Sequence, residues 1–135
     1  MVLRRAAMIT LADYWMGRDS KFPDDLTPEI EGNAVELLDR VNLLLASFGE
    51  ERKVNSGWRP PSVNAKIPNA AAKSKHMTGQ AVDLADPDGD LDDWCLENAS
   101  ELERLQLWQE HPAATKGWCH LQSVPPKSGK RVFYP

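Results

Sequence analysis

The stretch 27–49 constrains the fold more than any other part of this sequence. Ile30, Ala34, Leu37, Leu38, Val41, Leu44, Leu45 and Phe48 recur at the three-and-four spacing of one helix face. Thr27 offers a side-chain oxygen to the first free amides, and Pro28 suits the first helical position. Glu29 and Glu31 favour the positive end of the helix dipole, and Gly49 ends the helix. A helix with one apolar stripe has to bury it, so the rest of the chain must supply a second layer. With 135 residues, 41% of them hydrophobic, the chain is long enough for one core, and a single domain over 1–135 is expected.

The remaining patterns predict what that layer is. Thr10 caps a short helix through Met16. Residues 54–58 read as a strand entering a loop, which Arg59-Pro60-Pro61 keeps irregular, and 61–72 is irregular or weakly helical. Residues 79–85 alternate as a strand does. Asp86-Pro87-Asp88-Gly89-Asp90 is a turn, and 91–105 reads as a second helix capped by Asp90. The alternating acids of this turn lack the glycine placement and distal glutamate of a calcium loop. Residues 107–110 and 118–122 read as two short strands joined by the loop 111–117, and the tail after them shows no regular pattern. The expected fold is α+β, a small antiparallel sheet with helices packed on it.

Charge removes several function classes. With 16 basic against 20 acidic residues, the chain lacks the surplus needed to coat a nucleic-acid backbone, so no nucleic-acid partner is expected. No window approaches the roughly 18 apolar residues of a membrane span. The opening MVLRRAAMITLADYW begins like an export signal, but Thr10 and Asp13 interrupt its apolar part and no small-residue cleavage site follows. Cys95 and Cys119 make no metal or redox spacing and are expected to be reduced and buried. Synthesis in the cytoplasm without a signal, and a monomeric state, are therefore expected.

The most informative stretch is Ser74-Lys75-His76-Met77-Thr78-Gly79-Gln80-Ala81-Val82-Asp83. It sets a histidine and an aspartate seven residues apart, with the aspartate on a strand, and His120 follows downstream in Trp118-Cys119-His120. Two imidazoles and a carboxylate make a three-ligand zinc set with the fourth position left for water. Taken singly, each histidine could equally be an ordinary core or surface group.

Together with Ser56-Gly57-Trp58-Arg59-Pro60, these motifs resemble the zinc D-Ala-D-Ala carboxypeptidase and L-alanyl-D-glutamate endopeptidase family. That family shares its fold with the hedgehog signalling domain, and the opening segment and the ending PPKSGKRVFYP are similar to its phage and prophage branch. The resemblance implies Zn2+ held by His76, Asp83 and His120, with Arg59 holding substrate or stabilising the oxyanion. It also implies hydrolysis of a peptide bond in the peptidoglycan stem peptide, acting on the wall after release or as a virion component. Many members carry a glutamate three residues before the last histidine, where this chain has Gly117. Glu110 is the expected replacement as general base, because a hairpin can return it to His120. His111 is a second candidate, for steadying the oxyanion or leaving group, and Ser74 is expected to orient a ligand. Two other readings stay open: a zinc-containing phage structural or wall-binding domain without turnover, and a cytoplasmic D,D-dipeptidase.

Overall fold

In the computed structural model, which describes residues 8–135, the chain begins with α1 (Leu11–Trp15), α2 (Arg18–Lys21) and the long α3 (Pro28–Phe48). It continues through β1 (Val54–Ser56), α4 (Pro61–Lys66), β2 (Ala81–Asp86), α5 (Asp90–Glu97) and α6 (Ala99–Leu105). β3 (Trp108–Glu110), β4 (Gly117–Gln122) and β5 (Val132–Phe133) complete it. Residues 1–7, which open the stretch read above for an export signal, lie outside the described residues.

Helix α3 forms as its caps dictate. The Thr27 hydroxyl accepts from the Ile30 amide at 3.2 Å, and Gly49 closes the helix at φ 92°. Its apolar stripe from Ala34 to Leu45 is buried in the core. Thr10 and Asp13 satisfy each other's amides at the start of α1, a reciprocal capping box. That short helix carries Tyr14, whose hydroxyl donates to the Ala81 carbonyl at 2.8 Å and ties α1 to the start of β2.

The sheet order is β1-β2-β4-β3-β5. The first four strands pair antiparallel, as expected, but β5 adds to β3 in parallel, so the sheet is mixed. The hairpin expected from 107–110 and 118–122 is present, with Trp108 opposite Gln122 and Gln109 opposite Leu121. Between β2 and β4, Asp83 faces His120 and Leu84 faces Cys119. Strand alternation then divides the two faces. Val82, Leu84, Cys119 and Leu121 enter the hydrophobic core, and Asp83 and His120 stand on the other side. α5 packs on β2 and β4, and α6 packs on β3 and α3.

Three local expectations needed correction. The helix expected over 91–105 breaks at Asn98, whose side-chain amide and backbone N–H both donate to the Trp94 carbonyl and end α5. An asparagine competing for backbone groups explains the break. Asp90 does not cap α5: Gly89 holds the cap position, and the Asp86 carboxylate before it accepts from the Leu91 and Asp92 amides at 3.0 and 2.9 Å. The tail, read as patternless, supplies β5, which is too short for periodicity to reveal.

Asp86 is 1% exposed and also meets Arg52 Nε at 3.4 Å. Asp86→Ala should therefore lower stability by about 2 kcal/mol or more, since it removes a cap and leaves two amides unpaired. Urea denaturation checks this, as a lower midpoint at unchanged slope.

Candidate metal centre

Three elements converge on Asp83. β2 carries the carboxylate itself, the loop before β2 carries His76, and β4 carries His120. His120 Nδ1 lies 2.8 Å from Asp83 Oδ1, and His76 Nε2 lies 3.3 Å from Asp83 Oδ2. One donor atom from each residue falls within 4.8 Å of the others, and all three residues are buried.

The hydrogen bonds behind the rings fix which nitrogen faces inward. His76 Nδ1 sits 2.9 Å from the Gly57 carbonyl, which can only accept, so Nδ1 carries the proton and Nε2 presents a lone pair. His120 Nε2 sits 2.9 Å from Gln122 Oε1, while the Gln122 amide nitrogen donates to the Val124 carbonyl at 2.8 Å. That second bond sets the amide orientation, so Nε2 of His120 is the donor and Nδ1 turns its lone pair to Asp83. Two imidazole lone pairs directed at one carboxylate repel unless a cation or an extra proton lies between them. Two nitrogens, one oxygen and outward N–H groups tied to carbonyl oxygens are the donor set and support that a divalent metal such as zinc requires.

The electrostatics agree. Burial works to raise the Asp83 carboxyl, but the hydrogen bonds and charges of His120 and His76 outweigh it and hold Asp83 well below the usual carboxylate range. Burial lowers His76, against the pull of Asp83. Burial would also lower His120, yet the bond and charge of Asp83, helped by Gln122 and Glu110, raise it. Of the two rings, His120 is therefore the one shifted toward its charged form and His76 the one shifted away from it.

Arg59 joins this cluster. Its Nη2 donates to Asp83 Oδ2 at 3.3 Å, its Nε donates to Ser56 Oγ at 2.9 Å, and its backbone amide holds the His76 carbonyl at 3.1 Å. Glu110 arrives with the hairpin: one step beyond the Gln109–Leu121 pair, its Oε2 lies 3.8 Å from His120 Nδ1. Burial raises the Glu110 carboxyl above its ordinary value; the His120 charge pulls it down, and Asp83 and Asp92 push it up further. Ser74 accepts from the His76 backbone amide at 3.2 Å, so it steadies the loop and not the ring. His111 stays outside the cluster. Its Nδ1 accepts from the Ala113 amide at 3.0 Å, capping the short turn Pro112–Ala114, and its ring stacks on Tyr134 with centroids 4.5 Å apart.

Gly57 and Gln122 are ring-orienting residues that sequence reasoning missed. A Cβ on Gly57 would come within 2.0 Å of the Tyr14 carbonyl oxygen, so only glycine lets α1 and this loop approach. Gln122 lies two residues past His120 on one strand, so the two-residue strand period was the available signal.

The family profile described as Peptidase M15 matches residues 16–121. The match includes every residue of the cluster and stops just short of Gln122 and β5. Neither a curated protein nor a solved structure matches the chain.

Metal binding tests the arrangement. The wild type should take up one zinc per chain, and His76→Ala should lose it. Gln122→Leu should keep the fold but weaken zinc affinity roughly 10- to 100-fold, the cost of losing a ligand's outer partner. Chelator competition with metal analysis reads both; full affinity in the Gln122 variant would remove that residue from the metal's support.

Proposed function

We propose that this chain, which belongs to the peptidase M15 family, is a zinc peptidase that hydrolyses a peptide bond in the peptidoglycan stem. The observation that carries catalysis is the placement of Glu110, its carboxylate 3.8 Å from the inward nitrogen of His120. This partly buried acid beside the ligand cluster is the feature that favours turnover over a domain kept for binding alone. Zinc held by His76, Asp83 and His120 would supply a Lewis acid and bring the pKa of water toward about 7.

The chain's own residues account for the rest of an amide hydrolysis. Water must lose a proton as its oxygen bonds to the carbonyl carbon, and the leaving nitrogen must gain one as the C–N bond breaks. Glu110 is suited to both transfers. Burial moves its carboxyl upward, toward the working pH of a base that must later act as an acid. Arg59 supplies a fixed positive charge. With Nε on Ser56 and Nη2 on Asp83, the guanidinium plane is set, and its remaining N–H groups are available to the oxygen that gains charge.

The choice of the stem peptide as substrate, and of the cell wall as the place of action, rests on the resemblance of the Ser56–Pro60, Ser74–Asp83 and Trp118–His120 motifs. The bond type, D,D or L-Ala-D-Glu, is read from products. Mass spectrometry of digested peptidoglycan should show one new amine and one new carboxylate per cut.

Glu110→Gln should retain zinc and fold but lose hydrolysis by about 100-fold or more, because an amide cannot take the water's proton. Chelation should abolish wild-type turnover, and added zinc should restore it. An active Glu110→Gln enzyme would assign the proton transfer to another group. Arg59→Lys should keep the fold and lose most activity, since a lysine keeps the charge without the fork.

A further inference from the structure

Between α1 and α2 the chain makes a sharp turn through two successive left-handed residues, Met16 at φ 56° and Gly17 at φ 75°. Met16 is not a glycine, and a side chain in that region is held only where its surroundings enforce it. The turn lays residues 14–18 against the loop that leads into Arg59. The Trp58 amide donates to the Tyr14 carbonyl at 3.1 Å, and the Gly57 amide points to Met16 Sδ at 3.3 Å. Arg18 Nη1 then donates to the Trp58 carbonyl at 2.7 Å. A guanidinium is thereby fixed on the peptide unit that joins Trp58 to Arg59.

Among the described residues this guanidinium meets no counter-ion. Arg40, Arg52, Arg59 and Arg104 each meet a carboxylate within 4 Å; among the described residues Arg18 and Arg131 meet none, and Arg131 rests on the Trp108 ring. Residues 1–7 contain no acid that could serve. The Trp58 carbonyl takes only Nη1, so the Nε/Nη2 edge, the one that fits a carboxylate bidentately, has no partner among the described residues. Burial and the nearby charge of Arg59 both press against the charged form, yet an arginine stays ionised. The fold thus maintains, beside the site, a half-exposed positive charge that nothing in the described protein neutralises.

We infer that Arg18 is a substrate-binding residue, which takes a free carboxylate of the peptide whose scissile bond lies at Arg59 and the metal cluster. This rests on the peptidase reading of that cluster. The ligand class is an anionic peptide, and the recognition is a charge-assisted pair on the Nε/Nη2 edge.

The test uses the full-length zinc-loaded protein and two probes, a peptidoglycan stem peptide with free carboxylates and the same peptide with them amidated. Arg18→Gln should raise KM for the free acid roughly 10- to 100-fold, the range for a hydrogen bond to a charged group, with kcat within a few-fold. On the amidated peptide the variant and the wild type should have the same KM. Arg18→Lys, which keeps the charge and can still reach the Trp58 carbonyl, should recover part of the preference; it also carries the test should the glutamine variant lose its melting transition or its zinc. Equal losses on both probes, or a fall in kcat at unchanged KM, would overturn the inference. If the wild type cuts neither probe, the peptidase reading fails first. Isothermal titration of the same two peptides then decides on Arg18: a preference for the acid that both variants weaken supports it, and equal binding of acid and amide overturns it.

Discussion

The Asp83 carboxylate is taken out of water in the middle of the sheet, and an unpaired charge there would consume much of the roughly 5–15 kcal/mol by which a domain is stable. Three partners prevent this, and each comes from a different part of the chain. His120 stands opposite on β4, His76 comes from the loop before β2, and Arg59 reaches in from the loop after β1. β2 must therefore lie between β1 and β4, and the sheet order follows that requirement. The loops are held just as firmly. Gly57 orients one imidazole and Ser56 aligns the guanidinium, while Tyr14 pins both ends of the arrangement, to Trp58 and to Ala81.

The second acid depends on a different set of contacts. Glu110 ends a strand of three residues, which β4 alone would hold weakly. β5 brackets it from the other side: the Gln109 amide donates to the Arg131 carbonyl at 2.9 Å, and the His111 amide to the Phe133 carbonyl at 2.7 Å. Phe133 also sets its ring edge-on to His120, and the Arg131 guanidinium lies 4.3 Å from the centre of the Trp108 ring. Tail residues beyond the family match thus support both the proposed base and a ligand.

Much of this was legible in the sequence, and the parts that were not share a cause. The stripe and caps of α3 act within one helix, and the hairpin follows from two short strand-like runs joined by a short loop, so both could be read in advance, though the register could not. The His76–Asp83–His120 set could be read because metal ligation restricts residue type. Gly57 escaped because its contribution is a carbonyl oxygen, which every residue possesses. The break at Asn98 escaped because the apolar period continues across it. His111 uses Nδ1 on a turn cap and lays its ring on Tyr134, and that stack could not be read from the sequence because only the packed tail supplies it.

The sheet order also bears on how this protein behaves in company. Its two six-residue strands, β2 and β4, lie inside, and the edges among the described residues are β1, three residues long, and β5, only two. β1 carries a register irregularity between Val54 and Ser56, and β5 follows directly on Lys130 and Arg131. Short, kinked or charge-flanked edges give a foreign strand little backbone to pair with. The same geometry that places the two long ligand-bearing strands inside thus leaves the least pairing surface where two copies could meet edge to edge.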